Sequence, residues 1–444
     1  MRPALACAFA LLAAATGAGA VTLGSLGSPG SEGRTLDLGA SLRTIPGAVQ
    51  QDSSTPKTGF FDQSLLRLTL LGRAGDWLKV EAHAVESVTI AGDGPVALYT
   101  SGGKAAQRYR ALDLQWRQAD GRRLGAYLDW DRASVRVSLP YVDVTVGRQA
   151  VNHSKTLFWN PLDVFLPFDP RTFDRDYKPG IDAARVQLTL GDASGLEVVG
   201  ALGPTLALDA NAGAASAAGA SAGFFDSTKT GAAVLARAFT TLAHVDLSLQ
   251  AGKVYGGIHF GAGASGELFG FGIRAEATLL RADASLKTEL LPDGNGSLRQ
   301  VRLVDDAASL AVGLDRRFES ELLVAVEVFH NGAAAADDLL LSAARVATFG
   351  AQSLSRDLAA VTASYPLTPL WTLSGAALLS LSDGSVLLTP GLKWSASNEV
   401  EVLAGALLGV GKRPGVDPAL GFPVPRSEYG TYPNLVYLEG KVYF

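Results

Sequence analysis

The sequence predicts an all-β fold, a transmembrane antiparallel up-and-down β-barrel of about 18 strands (16–20). Three observations point there. Hydrophobic residues make up 48% of the chain and charged residues 18%, yet no apolar run after the first twenty residues is as long as a membrane helix. The apolar residues instead alternate with polar ones along extended segments. The chain also ends in Asn434–Phe444, where Val436, Leu438, Val442 and Phe444 share one strand face and Glu439 and Lys441 the other. Lipid offers the backbone no hydrogen-bond partner, so a closed barrel is how dispersed apolar residues can span a membrane.

At the N-terminus, Arg2, the apolar run Ala4–Ala15 and the small-residue pattern Ala18-Gly19-Ala20 have the three parts of an export signal. Residues 1–20 are therefore expected to be cleaved, leaving 21–444 as a single barrel domain in the bacterial outer membrane. The one cysteine, Cys7, lies inside this segment, so the mature chain is expected to hold no disulfide and no cysteine metal site. Removal of Arg2 takes the formal charge from −5 to −6, which is no footprint for nucleic acid.

Strand candidates follow at a regular pace. Thr35–Thr44 comes first, then the hairpin Asp62–Leu71 and Trp77–Ile90 around Gly72–Asp76. Arg108–Arg117, Leu124–Leu139, Tyr141–Val151, Ile181–Leu190 and Gly195–Leu202 continue the series. Next are Gly231–Thr241, Val245–Val254, Gly257–Gly261 and Glu267–Leu280. Ala308–Phe318, Glu321–Asn331, Asp357–Tyr365, Trp371–Leu381, Ser385–Ser395, Glu399–Val410 and the terminal strand complete it. These are nineteen, whereas single-chain bacterial barrels have an even number. One is surplus, with the overlong Leu124–Leu139 or the short Gly257–Gly261 the expected source.

Short connections such as Gly191–Ser194, Ala243–His244 and Ala396–Asn398 alternate with long ones such as Gly203–Thr230, Gly332–Arg356 and Pro414–Tyr432. Short turns belong to the periplasmic rim and long loops to the outside. Asn211–Ala222 is nearly pure Ala, Gly and Ser, an outer loop of weak structure. Trp77, Trp116, Trp371, Trp394 and Phe318 flank proposed short turns, as a periplasmic aromatic girdle would.

The polar strand faces should line the lumen. Arg67, Lys79, Glu81, His83, Arg136, Asp143, Arg274, Glu276, Asp315, Arg317, Glu321, Glu327, Lys393, Glu401, Glu439 and Lys441 fall there. An Arg on the lipid face at midplane would cost roughly 2–4 kcal/mol, which favours the inward placement. The mixed signs permit cross-lumen pairs and differ from the cationic rings of a dedicated anion pore. Most such charges brace a wall rather than touch a solute.

One stretch stands apart. Val146-Gly147-Arg148-Gln149 leads into Phe158-Trp159-Asn160-Pro161-Leu162-Asp163-Val164-Phe165-Leu166-Pro167-Phe168-Asp169-Pro170 and on to Lys178-Pro179-Gly180. Its four prolines exclude a regular strand or helix, and its aromatics need burial, so the 151–180 loop should fold against or into the barrel mouth. A constriction with Arg148, Asp163, Asp169, Arg171, Asp174 and Arg175 beside the path is the functional expectation, and a packed rim loop the plainer one. The strand ending in Gly-Arg-Gln and the aromatic-Asn-Pro loop resemble porin-like outer-membrane proteins near the alginate-export family. That resemblance implies a barrel channel.

His153-Ser154 could suggest a hydrolase, but neighbours on an extended chain point apart, and no nucleophile elbow, zinc or phosphate-binding motif occurs. His83, His244, His259 and His330 lack metal-ligand spacing, so neither metal nor cofactor is expected, and the chain is not expected to be an enzyme. The expected role is passive or facilitated diffusion of small hydrophilic solutes. Export of an alginate-like polysaccharide and a plugged structural or adhesion barrel are the alternatives. Expected partners are outer-membrane lipid, the solutes and the barrel-assembly machinery, which reads the terminal Val436, Leu438, Val442 and Phe444. A monomer and a homo-oligomer both fit. Deleting Phe444 should lower the amount of barrel reaching the outer membrane more than it alters pore properties; unchanged membrane levels would remove the terminal strand's role in assembly.

Overall fold

A computed structural model describes residues 33–444 apart from 52–56, 93–107, 122, 167–176, 204, 207–224, 227–230, 284–288, 293–297, 350 and 418–422. The expected signal segment and Asn211–Ala222 lie outside the described residues.

Eighteen antiparallel strands close into one barrel. They are β1 (Arg34–Gln51), β2 (Lys57–Ala74), β3 (Leu78–Ala91), β4 (Leu124–Leu139), β5 (Val142–Gln149) and β6 (Ile181–Gly191). Then come β7 (Ser194–Ala201), β8 (Ala233–Leu242), β9 (Val245–Val254), β10 (Gly257–Leu268), β11 (Phe271–Ala282) and β12 (Ala307–Arg317). The last six are β13 (Leu323–Asn331), β14 (Asp357–Thr368), β15 (Trp371–Ser380), β16 (Val386–Leu388 and Gly391–Ser395), β17 (Val400–Val410) and β18 (Asn434–Tyr443). Pro390, lacking an N–H, splits β16 into its two pieces. A helix, α1 (Leu339–Phe349), sits in the connection after β13.

Closure is by β1 and β18, which pair from Ser41↔Tyr443 to Gln50↔Asn434. Phe444 extends the seam, its N–H donating to the Ala40 carbonyl at 2.8 Å and its carbonyl accepting from the Ala40 N–H at 3.2 Å. Val436 and Leu438 are exposed on the outer wall. Val442 keeps their parity but is only 3% exposed, set between Leu42 and Val400 in the ladder.

One rim carries tight turns, several of two residues: Pro140-Tyr141, Asp192-Ala193, Ala243-His244, Phe269-Gly270 and Pro369-Leu370. Two of them hold both central residues at positive φ (48° and 65° at Ala243-His244, 54° and 74° at Phe269-Gly270), which matches the twist of the flanking strands. The other rim carries the long connections, with Tyr255-Gly256 as a short exception.

The surplus strand is Arg108–Arg117. Only its end enters a short strand, Gln115–Asp120, which pairs with the upper part of β4 beyond the end of β5. Leu124–Leu139 is one strand, and Gly257–Gly261 is the start of β10. The expected strand Glu267–Leu280 instead straddles the Phe269-Gly270 turn, which its large first residue concealed. The girdle needs a correction as well. Trp77, Tyr141, Phe318, Trp371 and Trp394 are exposed at the tight-turn rim, with Trp371 and Trp394 stacked 5.6 Å apart, but Trp116 lies in the short strand toward the long-loop rim.

β4 also bulges at Asp131: His83 pairs with Arg132 and Ala84 with Trp130. The bulge turns Asp129, Asp131 and Arg132 inward together, as their contacts inside the barrel show, while Trp130 is exposed. Beside it, Gly147 has φ +115°, and a Cβ there would lie 2.3 Å from the Ala133 carbonyl oxygen. Gly147→Ala is expected to cost about 1–3 kcal/mol. A lower midpoint in the heat-dependent gel shift of the purified barrel would register it; an unchanged midpoint would mean the backbone there relaxes freely.

Candidate functional site

The 151–166 loop turns into the barrel, and its aromatics find the burial that the sequence demands. Phe158 and Trp159 join a cluster with inner-wall residues Ile45, Phe61, Phe329, Leu358, Leu378 and Leu407, Trp159 stacking on Phe329 at 5.5 Å. Phe165 and Leu166 join a second cluster on the other wall with Tyr109, Ile181, Val199 and Leu235.

A buried loop carries amides that need acceptors. Two wall glutamates, each 1% exposed, supply them. Glu327 on β13 accepts three successive amides, from Leu157 (2.7 Å), Phe158 (3.1 Å) and Trp159 (2.9 Å). Glu276 on β11 accepts from the amides of Lys155 (2.5 Å), Thr156 (3.3 Å) and Leu162 (3.2 Å) and from the Ser154 hydroxyl (2.9 Å). The Asn160 amide donates to Gln352 at 2.6 Å, and Gln250 donates to the Leu162 carbonyl at 2.9 Å. Hydrogen bonds to a charged acceptor are each worth about 1.5–3 kcal/mol, so these two side chains decide where the loop lies.

Further pairs fix the loop's ends. Arg148 is 2% exposed and binds Asp182 through two nitrogens (2.8 and 3.1 Å) and the carbonyls of Trp130 and Leu112. His153 meets Glu197 at 2.5 Å, and Asp163 pairs with Lys178. Burial raises the Asp163 carboxyl and lowers the Lys178 ammonium, and the attraction between them acts against both shifts. Tyr177 lies under two guanidiniums, Arg67 at 3.4 Å and Arg132 at 4.2 Å from its ring centroid. Arg67 and Arg110 bind Asp131 (2.9 and 2.7 Å), Arg110 also binds Asp129 (2.6 Å), and Arg132 binds Glu81 (3.0 Å).

Below the loop lies a cavity of about 530 Å³, lined among others by Arg136, Asp143, Lys155, Gln187, Arg237, Asp246, Ser248 and Glu276. The strand register sets a row of cations along the inner wall, of which Arg136 and Arg237 line the cavity. Lys79 is opposite Arg136, Arg136 opposite Thr145, and Thr145 opposite Arg185; Arg237 stands one step on, opposite Glu197. Lys155, exposed on the loop's underside, adds a cation from above. Of the acidic counterparts, Asp143 holds Arg136 at 2.7 Å and Glu197, Glu276 and Glu327 are buried against protein groups, while Asp192 and Asp246 line the cavity, exposed beside the tight-turn rim.

The residues singled out from the sequence thus separate. Arg67, Lys79, Glu81 and Arg136 are on the inner wall at or above the cavity, and Arg274 is on it with Asp315 at 2.5 Å. Glu276 and Glu327 are loop anchors, while Arg148 and Asp163 are buried in the loop's footing instead of facing a path. Arg317 is exposed at the tight-turn rim with Glu321 (3.1 Å). Asp169, Arg171, Asp174 and Arg175 lie outside the described residues. Lys155, Arg132, Arg185, Glu197 and Arg237 were passed over. Consecutive charges at Asp131-Arg132, which alternation forbids, were the available sign of the bulge; Lys155 sits in irregular backbone, where periodicity says nothing.

No family model and no curated protein matches the chain. Solved structures do. OccK8 (OprE) of Pseudomonas aeruginosa has 8% identity and a TM-score of 0.51, covering 93% of this chain and 98% of its own. OccAB4 of Acinetobacter baumannii has 7% identity, a TM-score of 0.51 and coverage of 93% and 98%. Pseudomonas aeruginosa OpdK, solved with vanillate, has 9% identity, a TM-score of 0.50 and coverage of 95% and 100%. The fold is porin-like. At these identities the likeness concerns the fold alone, and it lends nothing to the alginate-export resemblance of the Gly147–Pro170 stretch.

Glu327→Ala strands three loop amides and should cost about 2–4 kcal/mol of local stability. Faster hydrogen exchange at 157–159 with the barrel intact is the expected reading; exchange equal to wild type would dismiss Glu327 as an anchor.

Proposed function

We propose that the protein is an outer-membrane channel for passive or facilitated diffusion of small hydrophilic solutes, with anions favoured. The observation that carries this is the 151–166 loop, bound inside the barrel by Glu276 and Glu327 above a charged cavity of about 530 Å³. Such a loop narrows the lumen without filling the wall below it, the arrangement a selective diffusion pore needs. It weighs against export of a bulky polymer, which requires a wide conduit.

The preference for anions comes from how the charges are presented. Counted along the sequence, the lumen is balanced. In the fold, Lys155 is exposed to the cavity and Arg136 and Arg185 are partly exposed, while Glu197, Glu276 and Glu327 are turned to protein donors. OpdK, of similar fold, was solved with vanillate, an anion, which fits the same reading.

The adjacent His153 and Ser154 do not support a hydrolase. His153 reaches Glu197 and the Ser154 hydroxyl reaches Glu276, on different strands. The aromatic rim and the exposed apolar outer wall (Leu68, Leu249, Val328, Leu438) fit a lipid bilayer. The Val436–Phe444 assembly signal and cleavage after residue 20 are part of this proposal, which a monomer and a homo-oligomer both fit.

Planar-bilayer recordings under a salt gradient test it. Wild-type protein should conduct with a reversal potential on the anion side, and Lys155→Glu should move it toward cations. Deleting Phe158–Pro170 should raise single-channel conductance severalfold. A barrel that inserts and does not conduct would overturn the channel, and a reversal potential indifferent to Lys155 would overturn the charge argument.

A further inference from the structure

At the long-loop rim, a buried carboxyl group, Glu428, beside an exposed one, Asp383, has no part in the loop anchoring described above. Glu428 is 5% exposed in the connection between β17 and β18, just before a short 3-10 turn at Tyr429–Thr431. Its carboxylate accepts the Ser355 amide at 2.6 Å, from the connection before β14. Its own amide donates at 2.7 Å to Asp383, in the connection between β15 and β16. Asp383 also accepts the Ser385 amide (2.8 Å) and the Ser355 hydroxyl (3.4 Å), and the Tyr429 amide donates to the Ser385 hydroxyl (3.0 Å). Three connections are thus tied at one point. From that point Tyr429 and Tyr432 run inward, into the same apolar cluster as Phe158 and Trp159 of the inserted loop.

We propose that the Glu428–Asp383 junction is a proton-operated latch on the channel mouth: protonation of Glu428 holds the 427–432 segment inward, and deprotonation loosens it. The inference rests on the channel reading only for its effect on current. The physical reason is local. An ionised Glu428 would be a buried negative charge beside that of Asp383, and a carboxyl group so placed is stabler neutral. Among the described residues, the groups acting most strongly on it are the Ser355 and Leu354 donors and Asp383 rather than a cation. The 353–356 segment brings serines and amides, with Arg356 directed to the Ala334 carbonyl (3.4 Å). On Glu428's own segment the titratable neighbours are Arg426, whose guanidinium packs against Gly415, and Tyr429 and Tyr432, and Arg413 donates to the carbonyls of Tyr432 (2.5 Å) and Gly430 (3.5 Å). Lys412 meets the segment through its carbonyl, which accepts from Ser427 at 2.9 Å.

The titration falls where it can matter. Burial pushes the Glu428 carboxyl up to about 7, with Asp383 adding to the rise against the pull of the Ser355 and Leu354 amides. Asp383, despite some burial, is held below the usual carboxylate range by Ser385 and the Glu428 amide, so it stays charged. Because the latched state binds the proton more tightly than a solvated carboxylate at 4.5 would, the latch is fully stabilised below 4.5 and loses that stabilisation as pH rises through about 7. Acid therefore tightens the mouth.

Hydrogen exchange of the 427–432 amides in the full chain, corrected for intrinsic rates between pH 5 and 8, reads the latch without needing conduction. Wild-type protection should fall about tenfold per pH unit from pH 5 to about 7 and level off above it. Glu428→Gln, which keeps a neutral acceptor, should hold the low-pH protection throughout. Asp383→Asn, which removes the neighbouring charge, should move the midpoint down by about one pH unit. Bilayer current should rise over the same pH range in wild type and not in Glu428→Gln. If Glu428→Gln or Asp383→Asn keeps the wild-type pH response, the latch is refuted. If exchange behaves as expected and the barrel conducts at no pH, the latch stands and the channel reading falls.

Discussion

A loop turned into a barrel takes its amides away from water, and the interior must answer each of them. Here two carboxylates do so, Glu327 for Leu157–Trp159 and Glu276 for the Ser154–Leu162 stretch. Everything functional in the interior follows from that pairing. The loop's position sets the roof of the cavity, its aromatics fill the space between the two inner walls, and Lys155 is left pointing to the cavity because its own amide is bound behind it.

The same pairing changes what the charges of the lumen mean. A carboxylate that accepts several backbone donors is committed to them, whereas Arg136 and Arg185, either side of Thr145, stay partly exposed. Count and presentation therefore diverge. The mixed wall inferred from composition becomes, after folding, a wall whose buried glutamates are engaged by protein donors, whose exposed aspartates Asp192 and Asp246 sit beside the tight-turn rim, and whose cations stand in register. The bulge at Asp131 acts in the same direction on the upper wall, placing two aspartates where Arg67 and Arg110 can be held.

The rim repeats the chemistry with the opposite outcome. At the roof, a carboxylate meets enough donors to serve as a fixed anchor. At Glu428 it meets the amides of Ser355 and Leu354 with another carboxylate beside it, and an anchor of that kind answers to pH. The two sites are joined through a single apolar cluster that contains Phe158, Trp159, Tyr429 and Tyr432. Anchor and latch are thus packed against a shared body.

By itself the sequence determined the container. Alternation along each strand, tight turns between them and the terminal Val436–Phe444 pattern are local properties, and a barrel is built from local pairings between neighbours in the chain. Eighteen strands could be approached to within one, and the miss at Arg108–Arg117 arose because a segment of alternating polar and apolar residues packed beside β4 has the same pattern as a spanning strand. Only the tertiary structure decided the contents. Glu276 and Glu327 look like any other inward-facing charges until a segment more than a hundred residues earlier folds between them. Partners that far apart leave no period in the chain, because what joins them is a demand for hydrogen bonds that exists only once the loop is inside.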